Sequence, residues 1–372
     1  MTWEQVKIGE LCEIEMGRTP SRAESKYWGT GHAWVSIADM GRAKYLEQTK
    51  EQITDEGLKS FRRGKIDPGT VLFSFKLSIG KVAITAIPLV TNEAIVALPI
   101  KDKTRLDTDF LFWVLQNLDV SGDVDRAGKG LTLNKEKLNN LEIPLPPLPV
   151  QRRIAAVLDE VDALRQKRER SIERLTQLLD ATLIQKIGDP IKGLYRYDTR
   201  PGKTVYKLSS GKFFKREDHS GNGSIPAYGG AGITGWADTP NIHMPTVVIG
   251  RVGFHCGNVQ AVNEPAFITD NAIYIKELQD DFLMGFIHHF LRLSQLNRFR
   301  DPGDLKKITQ KPLEDLAIPV VPLAEQRELL QGIADLEAML SEARKSGATL
   351  ELLASSLQAR AFAGELALRD FN

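Results

Sequence analysis

The sequence predicts an α+β protein in which two similar globular domains alternate with two long helices that pair with each other. The first observation is a duplication of a proline-rich strap at an interval of 175 residues. The second is that each strap leads into a long stretch with the apolar period of a helix. The third is that short β-branched runs divided by turn residues precede each strap, which is typical of sheets. The repeated strap residues are Ile143, Gln151 and Arg152, then Ile318, Gln326 and Arg327.

This order divides the chain into four segments. Residues 1–142 form the first globular domain, and residues 143–190 form the first strap and helix. Residues 191–317 form the second globular domain, and residues 318–372 form the second strap and helix.

Each globular domain contains apolar runs that predict strands, followed by one amphipathic helix. The strands are predicted at 71–75, 82–85, 94–98, 246–249 and 272–275, and the helices at 108–117 and 281–291. Both domains close with a similar segment, at 131–141 and 308–316. We therefore expect the domains to be divergent copies of one fold.

The long helices carry apolar residues at heptad positions a and d, along which they are expected to pair. The two helices match in length and in heptad phase, and in both the apolar seam is interrupted near its middle. This match favours pairing over two helices packed on separate cores. Pro149 and Pro322 mark the helix starts, and the GDP at 188–190 marks the first end. A helix over about 151–186 would be roughly 54 Å long. The predicted seams are Ile154, Val157, Val161, Leu164, Arg168, Ser171, Leu175 and Leu178, then Leu329, Gly332, Leu336, Met339, Ala343, Ser346, Leu350 and Leu353, with Ile333 covering Gly332.

The composition is that of a globular protein, with 42% hydrophobic and 26% charged residues among 372 and a net charge of +1. No apolar run reaches the roughly 18 residues of a membrane-spanning helix, and the N-terminus lacks a signal-peptide pattern, so we expect a cytoplasmic protein. Cys12 and Cys256 have no second cysteine at zinc-binding spacing, which predicts reduced, packed thiols. The near-neutral charge argues against a purely electrostatic nucleic-acid binder but is compatible with a local basic face.

Motifs for nucleotide binding and methyl transfer are incomplete. The GAGITG at 230–235 matches the dinucleotide fingerprint, but WADTP follows it and cannot continue as the required helix, so a glycine-rich turn is predicted. The GKT at 202–204 lacks the first glycine of a phosphate-binding loop, because Tyr197 stands there. The Asn or Asp before two prolines and an aromatic residue, which amino-methyltransferases use, is missing.

The sequence also offers no clear catalytic or metal cluster. Acidic pairs at 280–281 and 314–315 are interpreted as helix-start or surface residues. His288 and His289 lie in an apolar helix, where we expect one ring to pack and the other to face solvent. We therefore expect a chain without catalytic residues or a metal of its own.

In their order and duplication, a series of short motifs resembles the specificity subunits of type I restriction-modification systems. The resemblance covers nearly the whole chain. In the first domain the motifs are WEQVKIGEL (3–11), GRTPS (17–21), YWG (27–29), WVSIADM (34–40), VLFSF (71–75) and SIGK (78–81). In the second they are IPAYGG (225–230), VIGRVG (248–253) and TDNAI (269–273), and the straps and AGEL (363–366) complete the set.

The resemblance implies that each globular domain is a target-recognition domain that reads one half of a split DNA site. It also implies that the long helices form an antiparallel coiled coil that spaces the domains. A duplication paired in this way generates a pseudo-two-fold axis, and two readers on one side of a duplex are best placed about 10–10.5 bp apart. Two methyltransferase subunits would dock on the helices and straps, and restriction subunits would join through the complex in phage defence. S-adenosylmethionine, ATP and Mg would then belong to partner subunits.

Glycine-flanked polar loop residues are the candidates for reading base edges, and basic residues are the candidates for phosphate contacts. The base-reading candidates are Arg18, Ser21, Lys76, Ser78, Lys81, Tyr228, Arg251, His255 and Asn258. The phosphate candidates are Lys44, Lys59, Arg62, Arg63, Lys65, Lys212, Lys215, Arg216, Lys306, Lys307 and Lys311. The docking candidates for the methyltransferase subunits are Pro147, Gln151, Arg152, Pro322, Gln326 and Arg327.

Two other classes of function are compatible with parts of this pattern. A non-catalytic coiled-coil scaffold would have the same helices but domains that bind protein or another ligand, and salt-dependent, sequence-selective DNA binding would exclude it. A free-standing enzyme would require a catalytic cluster that the sequence does not display, and turnover by the isolated chain would support it.

Overall fold

The computed structural model describes residues 3–41, 43–118, 125–127, 130–214, 223–301, 303 and 306–365. The chain divides into two compact units, one of residues 1–168 with 346–372 and the other of residues 169–345. Each unit therefore contains one globular domain together with a part of each long helix.

The first unit begins with a series of short strands and helices that lead into the first long helix. Its strands are β1 (Gln5–Lys7), β2 (Glu15–Met16), β3 (Trp28–Val35), β4 (Tyr45–Leu46), β5 (Glu51–Ile53), β6 (Val71–Ser74), β7 (Val82–Thr85), β8 (Leu89–Thr91), β9 (Ile95–Leu98), β10 (Asp125–Ala127), β11 (Gly130–Thr132) and β12 (Glu142–Pro144). Its helices are α1 (Ile8–Leu11), α2 (Asp55–Leu58), α3 (Thr108–Gln116), α4 (Lys135–Asn140) and the start of α5 (Leu148–Ile187), with a 3-10 turn at Ser25–Tyr27.

Two sheets form the frame of this unit. The larger has the order β2-β9-β6-β7-β4, with β4 parallel to β7 and the other pairs antiparallel. The smaller has the order β5-β3-β8, in which β3 is antiparallel to β5 and parallel to β8. Alternate residues of β6 face different cores, since Val71 and Phe73 pack in one hydrophobic cluster and Leu72 in another, as the two-residue period of a strand requires.

The second unit repeats this arrangement. Its strands are β13 (Gly188–Asp189), β14 (Leu194–Tyr195), β15 (Thr199–Pro201), β16 (Tyr206–Ser210), β17 (Ile225–Gly229), β18 (Gly232–Ala237), β19 (Thr246–Gly250), β20 (Val259–Val262), β21 (Phe267–Ile268), β22 (Ala272–Leu278) and β23 (Ala317–Pro319). Its helices are α6 (Met284–Leu293), α7 (Gln310–Glu314) and the start of α8 (Leu323–Phe362), with 3-10 turns at Gly202–Thr204 and Leu296–Phe299.

The strand orders confirm that the two domains are divergent copies of one fold. The order β16-β22-β19-β20 matches β2-β9-β6-β7, and β18-β17-β21 matches β5-β3-β8 with the same antiparallel and parallel pairs. In both copies a short early strand also pairs with the strand at the start of the strap, β1 with β12 and β15 with β23. All five predicted strands are present.

Helix α6 begins at Met284, three residues later than predicted. The backbone of Leu283 is extended, and its amide donates to the side chain of Gln326 instead of entering the helix. The predicted glycine-rich turn at 230–235 is confirmed only at Gly230 and Ala231, which join β17 to β18, because residues 232–235 belong to β18.

The two long helices match in length and in phase. Both have 40 residues, and both the starts and the ends are 175 residues apart, which corresponds to a length of about 60 Å each. In the first unit, Ile154 and Leu158 near the start of α5 share a core with Ala361 near the end of α8, and further along Arg165 binds Glu351. The helices therefore pair in antiparallel orientation.

In the second unit the complementary ends meet. Leu183 near the end of α5 shares a core with Leu329 and Ile333 near the start of α8, and Lys186 lies 3.8 Å from Glu328. The paired helices are thus part of both units, and each globular domain packs on its own stretch of them.

The predicted phase of the helix seam is wrong at alternate positions. Leu164, Leu178, Met339 and Leu353 are about half exposed, whereas Leu158, Leu179, Leu340 and Ala354 are buried. At these positions the buried residue is one further along the chain than predicted. Counted from Ile154 or Leu329, the buried residues are therefore spaced by four and then three residues, where three and then four were predicted. Where two apolar residues are adjacent, the sequence permits either phase, and the packing of Leu158 and Ile333 in the domain cores selects one. Ile333 is fully buried and Gly332 is exposed, so Ile333 takes the seam position that the heptad assigned to Gly332.

Candidate nucleic-acid interface

Six of the nine base-reading candidates lie on equivalent loops of the two units. Lys76, Ser78 and Lys81 belong to the turn between β6 and β7 or its edge, and Arg251, His255 and Asn258 belong to the turn between β19 and β20. Since β6 matches β19 and β7 matches β20 in the two sheets, the same edge of the frame carries both sets.

In the first unit, hydrogen bonds from side chains to backbone carbonyls hold this loop. Ser78 is exposed, and its carbonyl accepts from the hydroxyl of Ser74 at 2.6 Å. The ammonium of Lys81 donates to the carbonyls of Ile37 and Met40 at 2.9 and 3.3 Å. Lys81 therefore joins this loop to the turn after β3. Unlike Ser78, both Lys76 and Lys81 are half-buried.

The equivalent loop of the second unit presents an aromatic and cationic surface. Phe254 is 85% exposed, with its ring centroid 5.2 Å from that of His255. Arg251 is exposed and donates to the carbonyl of Asp270 at 3.3 Å. Asn258 donates to the carbonyl of Gly230 at 3.3 Å, which ties the loop to the β17–β18 hairpin.

A basic cleft of about 460 Å³ lies in the first unit beside β2 and β8. Arg18, Arg62 and Arg63 line it, so one predicted base reader and two predicted phosphate contacts come together. Lys135 at the start of α4 also lines the cleft, although nothing in its sequence neighbourhood relates it to the others. The hydroxyl of Thr91 in the cleft wall is buried without a hydrogen-bond partner, which leaves a polar atom free at this site.

In both domains a glycine that packs closely against backbone precedes a basic residue at an equivalent position. The amides of Gly17 and Gly211 donate to the first residues of β9 and β22, and a Cβ at either glycine would lie 2.1 Å from a backbone oxygen. The next residue, Arg18 or Lys212, donates its amide to the last residue of β8 or β21. Arg18 and Lys212 therefore occupy equivalent positions, although the sequence suggested different roles for them.

Lys44 differs from its prediction as a phosphate contact. Its side chain is only 12% exposed, and its ammonium lies 2.7 Å from Asp109 and 2.5 Å from Asp159. The indole of Trp113 donates to the same carboxylate of Asp159 at 2.9 Å. Lys44 thus joins the globular domain to α5 and has no free charge to offer a phosphate, because two carboxylates neutralise it.

The other phosphate candidates that the structure describes are exposed side chains. Lys59, Arg63, Lys307 and Lys311 have carboxylate neighbours in Glu56, Glu15, Asp301 and Asp315, respectively. Surface ion pairs of this kind are weak and can exchange for phosphate. Arg62, Lys65, Lys212 and Lys306 are also exposed. Lys215 and Arg216 lie outside the described residues.

The two remaining base-reading candidates are held by their strands or loops. Ser21 is exposed, and its carbonyl accepts from the indole of Trp28 at 3.1 Å. Tyr228 is half-buried in β17, and burial, followed by the nearby carboxylate of Glu264, raises the pKa of its hydroxyl. Tyr228 therefore stays a neutral hydrogen-bond donor at ordinary pH.

The docking candidates separate into buried and exposed residues. Gln151 and Gln326 have no exposed surface, and their amides bind the backbone of the chain itself, so a partner subunit could not reach these side chains directly. Pro147, Arg152, Pro322 and Arg327 are exposed. The sequence did not distinguish the two groups because all six residues belong to the same repeated strap.

The cysteines are buried as predicted, and His289 packs as expected, but His288 is half-buried and does not face solvent as predicted. Both cysteines are buried and unpaired, and burial raises the pKa of Cys12 to about 12. His289 is 4% exposed and His288 only partly exposed. In the described part of the chain, no three His, Cys, Asp or Glu residues are grouped so that they could hold a metal ion. Among the described helices, none has the length and apolarity to cross a bilayer.

Comparison with known families gives a match over most of the chain. The model of the type I restriction modification DNA specificity domain matches residues 1–174 and again 197–350. The chain is 23% identical over 357 residues to the type I restriction enzyme EcoprrI specificity subunit of Escherichia coli, covering 89% of this chain and 86% of that protein. It is 28% identical over 181 residues to the MjaIX specificity subunit of Methanocaldococcus jannaschii, where the match spans 47% of this chain and 41% of the relative.

Solved structures share the fold. The S subunit of a type I restriction-modification system from M. genitalium superposes with a TM-score of 0.61 at 18% identity, covering 97% of this chain and 96% of that one. A chain from a study of complex assembly and conformational transition in a type I system gives a TM-score of 0.53 at 19% identity, covering 98% of both chains.

Proposed function

This chain belongs to the type I restriction modification DNA specificity family, and we propose that it selects the split DNA sequence on which a type I restriction-modification complex acts. The observation that carries the proposal is the duplication of the frame. The two domains have the same strand order, and each has a basic residue, Arg18 or Lys212, directly after a glycine that packs closely against backbone. Each domain would read one half-site.

The distribution of charge supports selective reading over general attraction to DNA. The net charge is only +1, so long-range attraction to phosphate is weak. The cations are instead concentrated locally, as in the cleft that Arg18, Arg62 and Arg63 line. Phosphate contacts by such a cluster would fix the register of the domain on the duplex, and the neighbouring loops would read base edges.

The paired helices would set the interval between the half-sites. Two 40-residue helices of about 60 Å exceed the rise of one turn of DNA, about 34–36 Å, which separates readers on the same face of a duplex. Their buried seam residues and the Arg165–Glu351 pair would favour a stiff spacer, so the interval would be a property of the chain itself.

The exposed apolar residues of the helices support docking of two methyltransferase subunits. Leu164 and Leu353 in the first unit, and Leu178 and Met339 in the second, are about half exposed. Leu178, Met339 and Leu353 immediately precede buried residues, and Leu164 precedes Arg165, which binds Glu351. These residues extend the apolar surface of the helices beyond the two rows of seam residues. A wider apolar face of this kind is typical of helices that pack against further helices in a bundle. Because this face occurs once in each unit, two copies of one partner would find equivalent surfaces.

Under this proposal the chemistry is performed by other chains. S-adenosylmethionine would bind the methyltransferase subunits, and ATP with Mg would bind the restriction subunits, which join through the complex. The present chain would contribute selection and assembly without catalysis, in the cytoplasm, as part of phage defence.

Expression of the chain with its methyltransferase subunit in a host that lacks other adenine methylation tests the proposal. Genome-wide mapping of methylated adenines should give one motif of two short defined sequences separated by a fixed unspecified spacer. Methylation without sequence preference, or methylation that is the same when this chain is omitted, would contradict it.

A further inference from the structure

A cluster of aromatic and charged side chains surrounds the loop that follows β2 in the first unit. Trp28 and Trp34 on β3 pack edge to face, with ring centroids 5.0 Å apart. The guanidinium of Arg22 lies 3.7 Å from the centroid of Trp28 and 5.0 Å from that of Trp34. Glu51 on β5 binds the same guanidinium through both oxygens, at 2.5 and 2.8 Å.

This cluster holds the backbone of residues 17–22, here called the Arg18 loop. The indole of Trp34 donates to the carbonyl of Arg18, and the indole of Trp28 donates to the carbonyl of Ser21, each at 3.1 Å. The amide of Arg18 donates to Thr91 at 2.7 Å, and the hydroxyl of Thr19 binds Glu93. Most residues of the loop are therefore held by hydrogen bonds. The side chains of Arg18 and Ser21 are exposed, and the guanidinium of Arg18 donates to the carbonyl of Ser60 at 3.4 Å.

Arg22 is suited to ordering this loop and adds little to the stability of the fold. Trp34 is 3% exposed and belongs to a small core with Ile53 and Val90, but the side chains of Arg22 and Glu51 are 53% and 43% exposed. Exposed ion pairs and exposed cation–π contacts contribute little stability. The contact with the Trp28 ring and the bidentate bond to Glu51 nevertheless fix the orientation of the Arg22 guanidinium, which a lysine could not reproduce.

Within the described residues of the second unit, the strand equivalent to β3 lacks the two tryptophans of this cluster. Strand β17, which is equivalent to β3, reads IPAYG and contains no tryptophan. The two copies of the fold differ at this strand. We therefore consider the cluster a candidate for a property in which the copies differ, such as the sequence that each copy reads.

We propose that Arg22, held between Trp28 and Glu51, is a positioning residue that orders the Arg18 loop in advance of binding and thereby sets the stringency of the first half-site. The inference rests on the proposed function and deepens it. A loop that is already ordered presents Arg18 to a base edge in one geometry, so a wrong base is not accommodated by movement of the loop.

The test uses the complex of the full chain with its methyltransferase subunits. First, residues 1–142 are exchanged for those of a relative, which identifies the half of the motif that the first unit reads. Methylation rates are then measured on duplexes with the complete motif and with single-base changes in either half. For Arg22→Ala we expect the discrimination ratio to fall about 10-fold in that half, equivalent to losing one good base contact, and to stay unchanged in the other half. Arg22→Lys should fall between Arg22→Ala and the natural chain.

Glu51→Gln should resemble Arg22→Ala, and the double variant should be no worse than either, because the two side chains act as one unit. The matched control is Lys207→Ala, which removes an exposed cross-strand ion pair with Glu277 in the second unit and should leave both halves stringent. Unchanged discrimination for Arg22→Ala, or an equal loss in both halves, overturns the inference. If the natural complex itself selects no split sequence, the proposed function fails and the inference fails with it.

Discussion

Gln151 and Gln326, one at the start of each long helix, make the same three hydrogen bonds in the two halves of the chain. The Oε1 atom of Gln151 accepts from the amide of Asp107, and its Nε2 donates to the carbonyls of Arg105 and Pro146. The Oε1 atom of Gln326 accepts from the amide of Leu283, and its Nε2 donates to the carbonyls of Asp281 and Val321. The repeated glutamine thus joins each strap to the segment that precedes the amphipathic helix of its domain.

Replacement of either glutamine should destabilise its own unit. In Gln151→Ala the amide of Asp107 and the carbonyl of Pro146 lose a buried partner, so we expect the free energy of unfolding to fall by about 1–3 kcal/mol. Denaturant unfolding measures this change. Gln331→Ala, at an exposed position of α8, is the control and should change stability by less than about 0.5 kcal/mol. Equal stability of the Gln151 and Gln331 variants would refute the structural role.

The equivalence of Arg18 and Lys212 predicts matched effects on the two half-sites. Arg18→Ala should relax the preference at one base pair in one half, at a cost of about 1–3 kcal/mol, and Lys212→Ala should act on the other half. Arg62→Ala, which removes a cleft residue proposed to contact phosphate, should weaken binding to all sequences alike and lower the salt slope by about 1. Competition binding of the complex across one-base variants measures these effects. A uniform loss for Arg18→Ala would assign it to phosphate instead.

The histidine pair of α6 should make stability depend on pH. Burial, then the neighbouring His288 and Arg292, lowers the pKa of His289 to about 3, and burial lowers that of His288 to about 4. His289 is therefore neutral at pH 7, so its 3.2 Å approach to Glu337 is not an ion pair at that pH. Because the unfolded chain binds protons below pH 6.5 and the folded chain does not, stability is complete above that pH and declines below it.

From these shifts we expect His289 to remove about 2 kcal/mol of stability between pH 7 and pH 5. Glu337, whose pKa burial raises, opposes part of this slope. Unfolding free energies measured from pH 7.5 to 4.5 should show a shallower decline for His289→Gln. His243→Gln, at an exposed position, should keep the original slope. Stability that rises as the pH falls through 6 would contradict the assignment.

The two phases of the helix seam can be distinguished with adjacent apolar positions. Leu158 is 2% exposed in the core with Ala361, so Leu158→Ala should cost about 2–5 kcal/mol. Leu164 is 49% exposed, so Leu164→Ser should leave the isolated chain nearly as stable as before. Leu164→Ser should nevertheless weaken association with the methyltransferase subunit, measured by titration calorimetry. Unchanged affinity for both Leu164→Ser and Leu178→Ser would exclude these residues from docking.

Much of the fold could be predicted from the sequence because it rests on local periodicity and on repetition. The strands at 71–75 and 82–85, the helix at 108–117 and both long helices follow from apolar patterns that do not depend on distant residues. The phase of the seam could not be predicted in this way. Adjacent apolar residues such as Leu178 and Leu179 satisfy either phase, and contacts with the domain cores decide between them.

The site was predictable only where its residues are close in sequence. Arg62 and Arg63 could be grouped, but Lys135 joins their cleft from a distant segment. Lys44 resembled a free surface cation because its two carboxylate partners, Asp109 and Asp159, are far away along the chain. The pairing of Arg22 with Glu51 depends on the register of β3 and β5, for which the sequence carries no local signal.

The most direct test of the central claim, that two domains on a fixed helical spacer read two half-sites independently, is an exchange of one domain. Residues 1–142 are replaced by the corresponding domain of a relative with a different target, and methylated adenines are mapped genome-wide in the complex. The account predicts that one half of the motif changes while the other half and the spacer length stay the same. A motif that changes in both halves, or a spacer that changes with the domain, would contradict it.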